Sequence, residues 1–137
     1  MGQTTEFQYT KINVLLIDSH QEDVLAVKNT LSKIGVKGFF AKKISEAQLM
    51  MKNQKFEILM IRNVVEDVQT HNFILRLRRS VDSFNYDTPI IYLTDKLLRE
   101  DLETLGKNIS TALIMPFDEE SLSSSINKVL KVPPAAK

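Results

Sequence analysis

The sequence predicts an α/β fold, a doubly wound five-stranded parallel sheet of order 2-1-3-4-5 with helices on both faces. Three observations lead there. Short apolar runs recur along the chain, amphipathic stretches of helical spacing separate them, and 137 residues, 43% hydrophobic and 26% charged, suffice for one core. Strands that alternate with helices return over the sheet by right-handed crossovers, which makes neighbouring strands parallel.

The expected strands are VLLI at 14–17, GFFA at 38–41, EILMI at 57–61, PIIYL at 89–93 and ALIM at 112–115. Each is too short for a helix, and most do not alternate, as befits strands buried on both faces. After the first strand, Val24, Val27, Leu31 and Ile34 keep helical spacing, with Ser19 and Glu22 as a capping box and Gly35 as the stop. The second helix has Ser45 and Gln48 as its box, Ile44 and Leu49 as a hydrophobic staple, and Ala47, Met50 and Met51 as its buried face. The third starts near residues 66–70, burying Phe73, Ile74, Leu77 and Val81 and exposing Arg76, Arg78 and Arg79. The fourth carries Leu98, Leu102 and Leu105. The fifth follows Asp118 as N-cap and turns Leu122, Ile126, Val129 and Leu130 inward. Residues 11–131 read as the one domain, with 1–10 and 132–137 as flexible tails.

Composition excludes several functions. Eighteen basic against seventeen acidic residues leave a net charge of +1, so no global field draws nucleic acid or anionic lipid. The run LRLRRS at 75–80 reads as a solvated helix face among acidic neighbours. There is no cysteine, hence no disulfide, thiolate metal site or cysteine nucleophile. MGQTTEFQYT lacks the regions of a signal peptide and no run is long enough to span a bilayer, so a cytoplasmic protein without membrane contact is expected. His20 and His71 suggest neither a metal pair nor a catalytic group; His20 is expected to be solvated at the start of the first helix.

In this topology a site lies at the carboxyl ends of the strands. Those ends read Asp18-Ser19, Arg62, Thr94-Asp95 and Met115-Pro116-Phe117. LLIDS at 15–19, IIYLT at 90–94 and IMPF at 114–117, on a flavodoxin-like order, resemble the response-regulator receiver (CheY-like) domain of two-component signalling, over about residues 11–131. That family needs a pair of acids after strand one for Mg²⁺, an aspartate after strand three to accept phosphoryl, a Ser/Thr after strand four and a lysine after strand five. Three carboxylates hold the hard cation, which neutralises charge developing on the phosphoryl oxygens.

Carried over by position, the resemblance implies a degenerate site. Asp18 matches the first acid, Ser19 stands for the second, Arg62 for the phosphoacceptor, Thr94 is kept, and Met115 replaces the lysine. The aromatic of the fifth strand aligns with Ala112, and the Met-Pro and Gly of the loop after strand three are absent from NVVEDVQ. A guanidinium neither attacks a phosphoryl donor nor ligates a metal. No metal, cofactor or enzymatic activity is therefore expected. Two readings of Arg62 stay open: a permanent cation paired with Asp18, or a solvated strand end with its stem on the core. Ser19 reads as a helix cap, and Thr94 as a hydroxyl satisfied by backbone.

The expected function is that of a pseudo-receiver in a phosphorelay, a protein-interaction module independent of phosphorylation. The family's output face, helix four, strand five and helix five, maps to about residues 96–131. Leu97, Lys107, Phe117 and Lys128 are its candidate contacts, to a signalling protein or to a second copy in a homodimer. A flavodoxin-type ligand is disfavoured because DSHQED after strand one has acids and no glycine to cradle phosphate. A nucleic-acid module using the arginine helix, and a receiver switched by a small ligand or through Thr94 or Ser19, rank below; no base adjoins either hydroxyl.

Overall fold

The structure is a computed structural model and describes residues 12–130; the expected tails at 1–10 and 132–137 lie outside the described residues. β1 (Asn13–Ile17), β2 (Lys37–Ala41), β3 (Ile58–Arg62), β6 (Ile90–Thr94) and β7 (Thr111–Ile114) form one sheet of order β2-β1-β3-β6-β7. Every neighbouring pair is parallel. This is the predicted 2-1-3-4-5 arrangement; the numbering skips because a small hairpin, β4 (Val64–Val65) and β5 (Val68–Gln69), follows β3.

The helices are α1 (Gln21–Ile34), α2 (Ile44–Asn53), α3 (His71–Arg79), α4 (Arg99–Leu105) and α5 (Glu119–Leu130). Successive strand residues point to opposite faces, so each strand feeds two cores. Leu15, Ile17, Leu59, Ile61, Ile90 and Tyr92 meet Ala47, Met51, Phe73, Ile74, Leu77 and Leu105 on the α2–α3–α4 side. Val14, Leu16, Ile58, Met60, Ile91 and Leu93 meet Val27, Leu31, Leu122 and Ile126 on the α1–α5 side. All of β3 and β6 is buried, and each large aliphatic there contributes about 1.5–3 kcal/mol.

The helix ends depart from the sequence patterns where tertiary partners compete. Gly35 closes α1 in the left-handed region, with φ 84° and its N–H near the carbonyls of Leu31 and Ser32, as predicted. The N-cap, however, is His20, and the Ser19–Glu22 box does not form; the Ser19 hydroxyl accepts the Glu66 N–H at 3.0 Å. α2 begins at Ile44, placing Ser45 inside the helix, and Glu46 Oε1 accepts the Lys42 N–H at 2.8 Å instead. Leu49 is 62% exposed, so the Ile44–Leu49 staple is absent.

The third helix starts later than predicted, because residues 64–69 pair as a hairpin across Glu66 and Asp67, whose φ values of 51° and 64° are those of a tight primed turn. Thr70 Oγ1 closes the hairpin base on the carbonyls of Arg62 and Asn63. Val81 lies past α3 and is exposed. Arg78 is half-buried rather than exposed: its Nε donates to the Asn108 carbonyl and Nη1 to that of Tyr86. Burial holds its guanidinium below the usual value, against the raising charge of Asp87. α4 buries Leu105, whereas Leu98 and Leu102 stay exposed. Asp118 caps α5, accepting the Ser121 N–H at 2.8 Å, a bond that holds its carboxyl below the usual range. Among the described residues no helix is long and apolar enough to cross a membrane.

Candidate functional site

β1, β3 and β6 end side by side, and the residues that leave them converge. Arg62 follows Ile58 and Met60 in strand parity and so points to the α1 side, where Asp23 stands in the first turn of the helix. Its side chain is 6% exposed. Nη1 donates to Asp18 Oδ2 at 3.4 Å and to Asp23 Oδ2 at 2.5 Å, and Nη2 donates to Asp95 Oδ1 at 2.7 Å. Asp18 is fully buried, and its other oxygen accepts the His20 N–H at 3.0 Å and lies 3.3 Å from His20 Nδ1. The imidazole itself is 58% exposed.

One guanidinium thus sits among three carboxylates. Burial by itself would lower the arginine's pKa, but the hydrogen bond to Asp23 and the charges of Asp18 and Asp95 outweigh it, and the net shift is upward. The group stays a cation. Asp18, His20 and Asp23 offer ligand atoms within 4.8 Å of one another, yet the guanidinium already bonds two of the three. The array is closed around a fixed charge.

The other predicted residues make separate bonds. Ser19 holds the hairpin. Thr94 Oγ1 donates to the Lys96 carbonyl at 2.9 Å and accepts the Lys96 N–H at 3.3 Å, so the backbone satisfies it. Met115 packs on the α1–α5 core, ahead of a cis bond to Pro116. Lys107 and Lys128 are exposed and Leu97 is half-buried, while Phe117 packs against the α1–α5 core rather than standing free. Leu98, Leu102 and Ile114, respectively 40%, 48% and 50% exposed, put apolar surface on α4 and β7. On the opposite flank of α3, a groove of about 720 Å³ runs over Met51, Phe73, Leu77 and Phe84, bordered by Lys52 and Arg76.

The sequence assigns neither Asp23 nor Asp95 to Arg62, because single surface-type carboxylates carry no motif. The weak signal was position: Asp95 adjoins the strand end, and Asp23 lies five residues beyond Asp18. A second missed cluster is Tyr92, His71 and Asp101. The Tyr92 hydroxyl lies 3.0 Å from His71 Nε2, which is 3.2 Å from Asp101 Oδ1. Tyr92 is also the registered partner of Ala112, so on neighbouring strands the large ring lies beside the small side chain on one face.

No family model matches the chain, and no curated protein does. Solved structures do. A two-component response regulator from Clostridium difficile aligns at TM-score 0.78 and 19% identity, over 89% of this chain and 98% of its own. The receiver domain of a sensor histidine kinase from Pseudomonas aeruginosa, solved with a magnesium ion in its active-site cleft, aligns at 0.77 and 16%, over 88% and 98%. The chemotaxis protein CheY4 of Vibrio cholerae aligns at 0.79 and 22%, over 87% and 98%. The fold is that of response-regulator receiver domains.

Proposed function

We propose that this chain is a receiver-fold module of two-component signalling that works without aspartyl phosphorylation, catalyses no reaction, and acts in the cytoplasm by binding a protein partner. One observation carries the reading: the end of β3, where the receiver family keeps its phosphoacceptor, bears Arg62, held by Asp18, Asp23 and Asp95. A guanidinium has no nucleophilic electron pair to offer a phosphoryl donor.

The Pseudomonas neighbour holds magnesium in its cleft. The residues here do not fit that ion. Magnesium demands an octahedral oxygen shell, and both oxygens of Asp18 are engaged, one by Arg62 and one by His20. A permanent cation takes the place of an exchangeable one, which favours a constitutive conformation.

The α4–β7–α5 face is the proposed docking surface. Exposed Leu98, Leu102 and Ile114 give it apolar surface, and exposed Lys107 after α4 and Lys128 on α5 give it charge, a mixture that suits a protein interface. Leu97 and Phe117 contribute as half-buried supports. The partner is a signalling protein or a second copy of this chain.

Amide NMR spectra of labelled protein, recorded without and then with Mg²⁺ and beryllofluoride, a mimic of aspartyl phosphate, test the reading. No movement of the peaks of Asp18, Arg62 and Thr94 is expected. Saturable shifts centred on those residues would mean that a carboxylate has rebuilt the acceptor site, and the reading would fail.

A further inference from the structure

We propose that His71, Tyr92 and Asp101 form a proton-operated latch that sets how firmly α4 is held against α3. His71 is the first residue of α3, Tyr92 lies in β6 and Asp101 in the first turn of α4. A single ring nitrogen, Nε2, bridges the other two, at 3.0 Å from the Tyr92 hydroxyl and 3.2 Å from Asp101 Oδ1. Asp101 uses its second oxygen to accept the Leu98 N–H at 3.4 Å, so the carboxylate that meets His71 also secures the start of α4.

α4 needs such a tie. Of its seven residues only Leu105 is buried, so little apolar contact anchors its first turn. The His71 and Asp101 side chains are 18% and 13% exposed, shielded enough for their charges to act at reduced dielectric.

The protonation state decides what Nε2 can do. A neutral ring has one N–H: on Nδ1 it leaves the Nε2 lone pair to accept from Tyr92 and face a carboxylate that cannot donate, and on Nε2 it gives Asp101 a hydrogen bond without charge. With both nitrogens protonated, Nε2–H donates to Asp101 and the contact becomes an ion pair. Acidification therefore tightens the latch, and loss of the second proton loosens it.

The surrounding groups leave His71 as the element that changes. Tyr92 is kept neutral, its phenol held above the usual value by burial and by the Asp101 charge. On α3, Arg78 turns to the carbonyls of Asn108 and Tyr86. Glu66 and Asp67 of the hairpin, Arg99, Glu100 and Glu103 of α4, and Lys107 beyond it are exposed to solvent. The consequence for partner binding rests on the proposed function, since α4 belongs to the docking face; the latch itself does not.

Amide spectra of the full chain, recorded through the titration of the His71 ring, test it. The amides of residues 98–105 are expected to move in step with the ring. Their hydrogen-exchange protection is expected to fall about two- to fivefold as the proton is lost, the change one partly shielded ion pair produces. In H71Q, which cannot titrate, that dependence should vanish. In D101N the ring should still titrate while α4 no longer follows, and if loss of the Leu98 cap unfolds α4, H71Q alone decides. Indifference of α4 to the ring, or an unchanged response in H71Q, overturns the proposal. The readout requires neither partner nor phosphodonor, so its failure is separate from failure of the proposed function.

Discussion

Arg62 carries a full charge at the end of a central strand, with an exposure of 6%, and such a group is tolerated only when its surroundings compensate. Both terminal nitrogens are bonded to carboxylates. Among the described residues Nε is buried without an acceptor, which costs about 1–3 kcal/mol that the carboxylates must offset. The arrangement is mutual, because Asp18 is fully buried and Arg62 is the fixed cation beside it. R62M keeps the stem's bulk and removes the charge; it is expected to destabilise the fold by about 3–5 kcal/mol at neutral pH in urea unfolding. A loss below about 1 kcal/mol, the scale of an exposed ion pair, would mean that Arg62 acts by the packing of its stem alone.

Between elements, short polar residues place the loops. Asn85 is fully buried in the loop between α3 and β6; its Oδ1 accepts the Phe56 N–H at 2.8 Å, and its Nδ2 donates to the carbonyls of Met51 and Gln54. It ties the end of α2 and the approach to β3 to a segment about thirty residues further along the chain. N85A leaves those three backbone groups without a partner and is expected to cost about 2–4 kcal/mol in chemical unfolding, with the fold otherwise retained. A loss below about 0.5 kcal/mol, the scale of an ordinary surface change, would show that water replaces the amide. Nothing in a turn-rich SVDSFNYD stretch marks Asn85 as the buried one, because Asn is equally at home in solvated turns. The hairpin at 64–69 was hidden for a similar reason: VVEDVQ has neither Gly nor Asn at its turn, and Glu66 and Asp67 accept positive φ under the Ser19 and Thr70 bonds.

At the scale of the whole molecule, the two cores are not independent. They share β1, β3 and β6, whose alternate residues serve opposite faces, so opening one face exposes half of each central strand. A single cooperative transition is expected. With no Trp in the chain, the near-ultraviolet tyrosine signal, to which buried Tyr92 contributes, and the far-ultraviolet helix signal should fall with one midpoint. Separate midpoints would mean that the α2–α3–α4 layer unfolds on its own.

The sequence by itself determined the buried strands and their parallel order, because a strand buried on both faces writes its environment into consecutive residues and a crossover has one hand. It also brought Asp18, Arg62 and Thr94 to one end of the sheet, since that follows from strand order alone. Tertiary structure decided what those side chains bond. Asp23 and Asp95 close on Arg62, Ser19 serves the hairpin rather than its own helix, and His71 reaches Tyr92 and Asp101. Each of these is a polar contact between distant segments, and a polar residue that caps locally competes with one that bonds across the fold at nearly equal free energy. Periodicity records burial, which depends on the type of residue; partner choice depends on distances that exist only after the layers have packed.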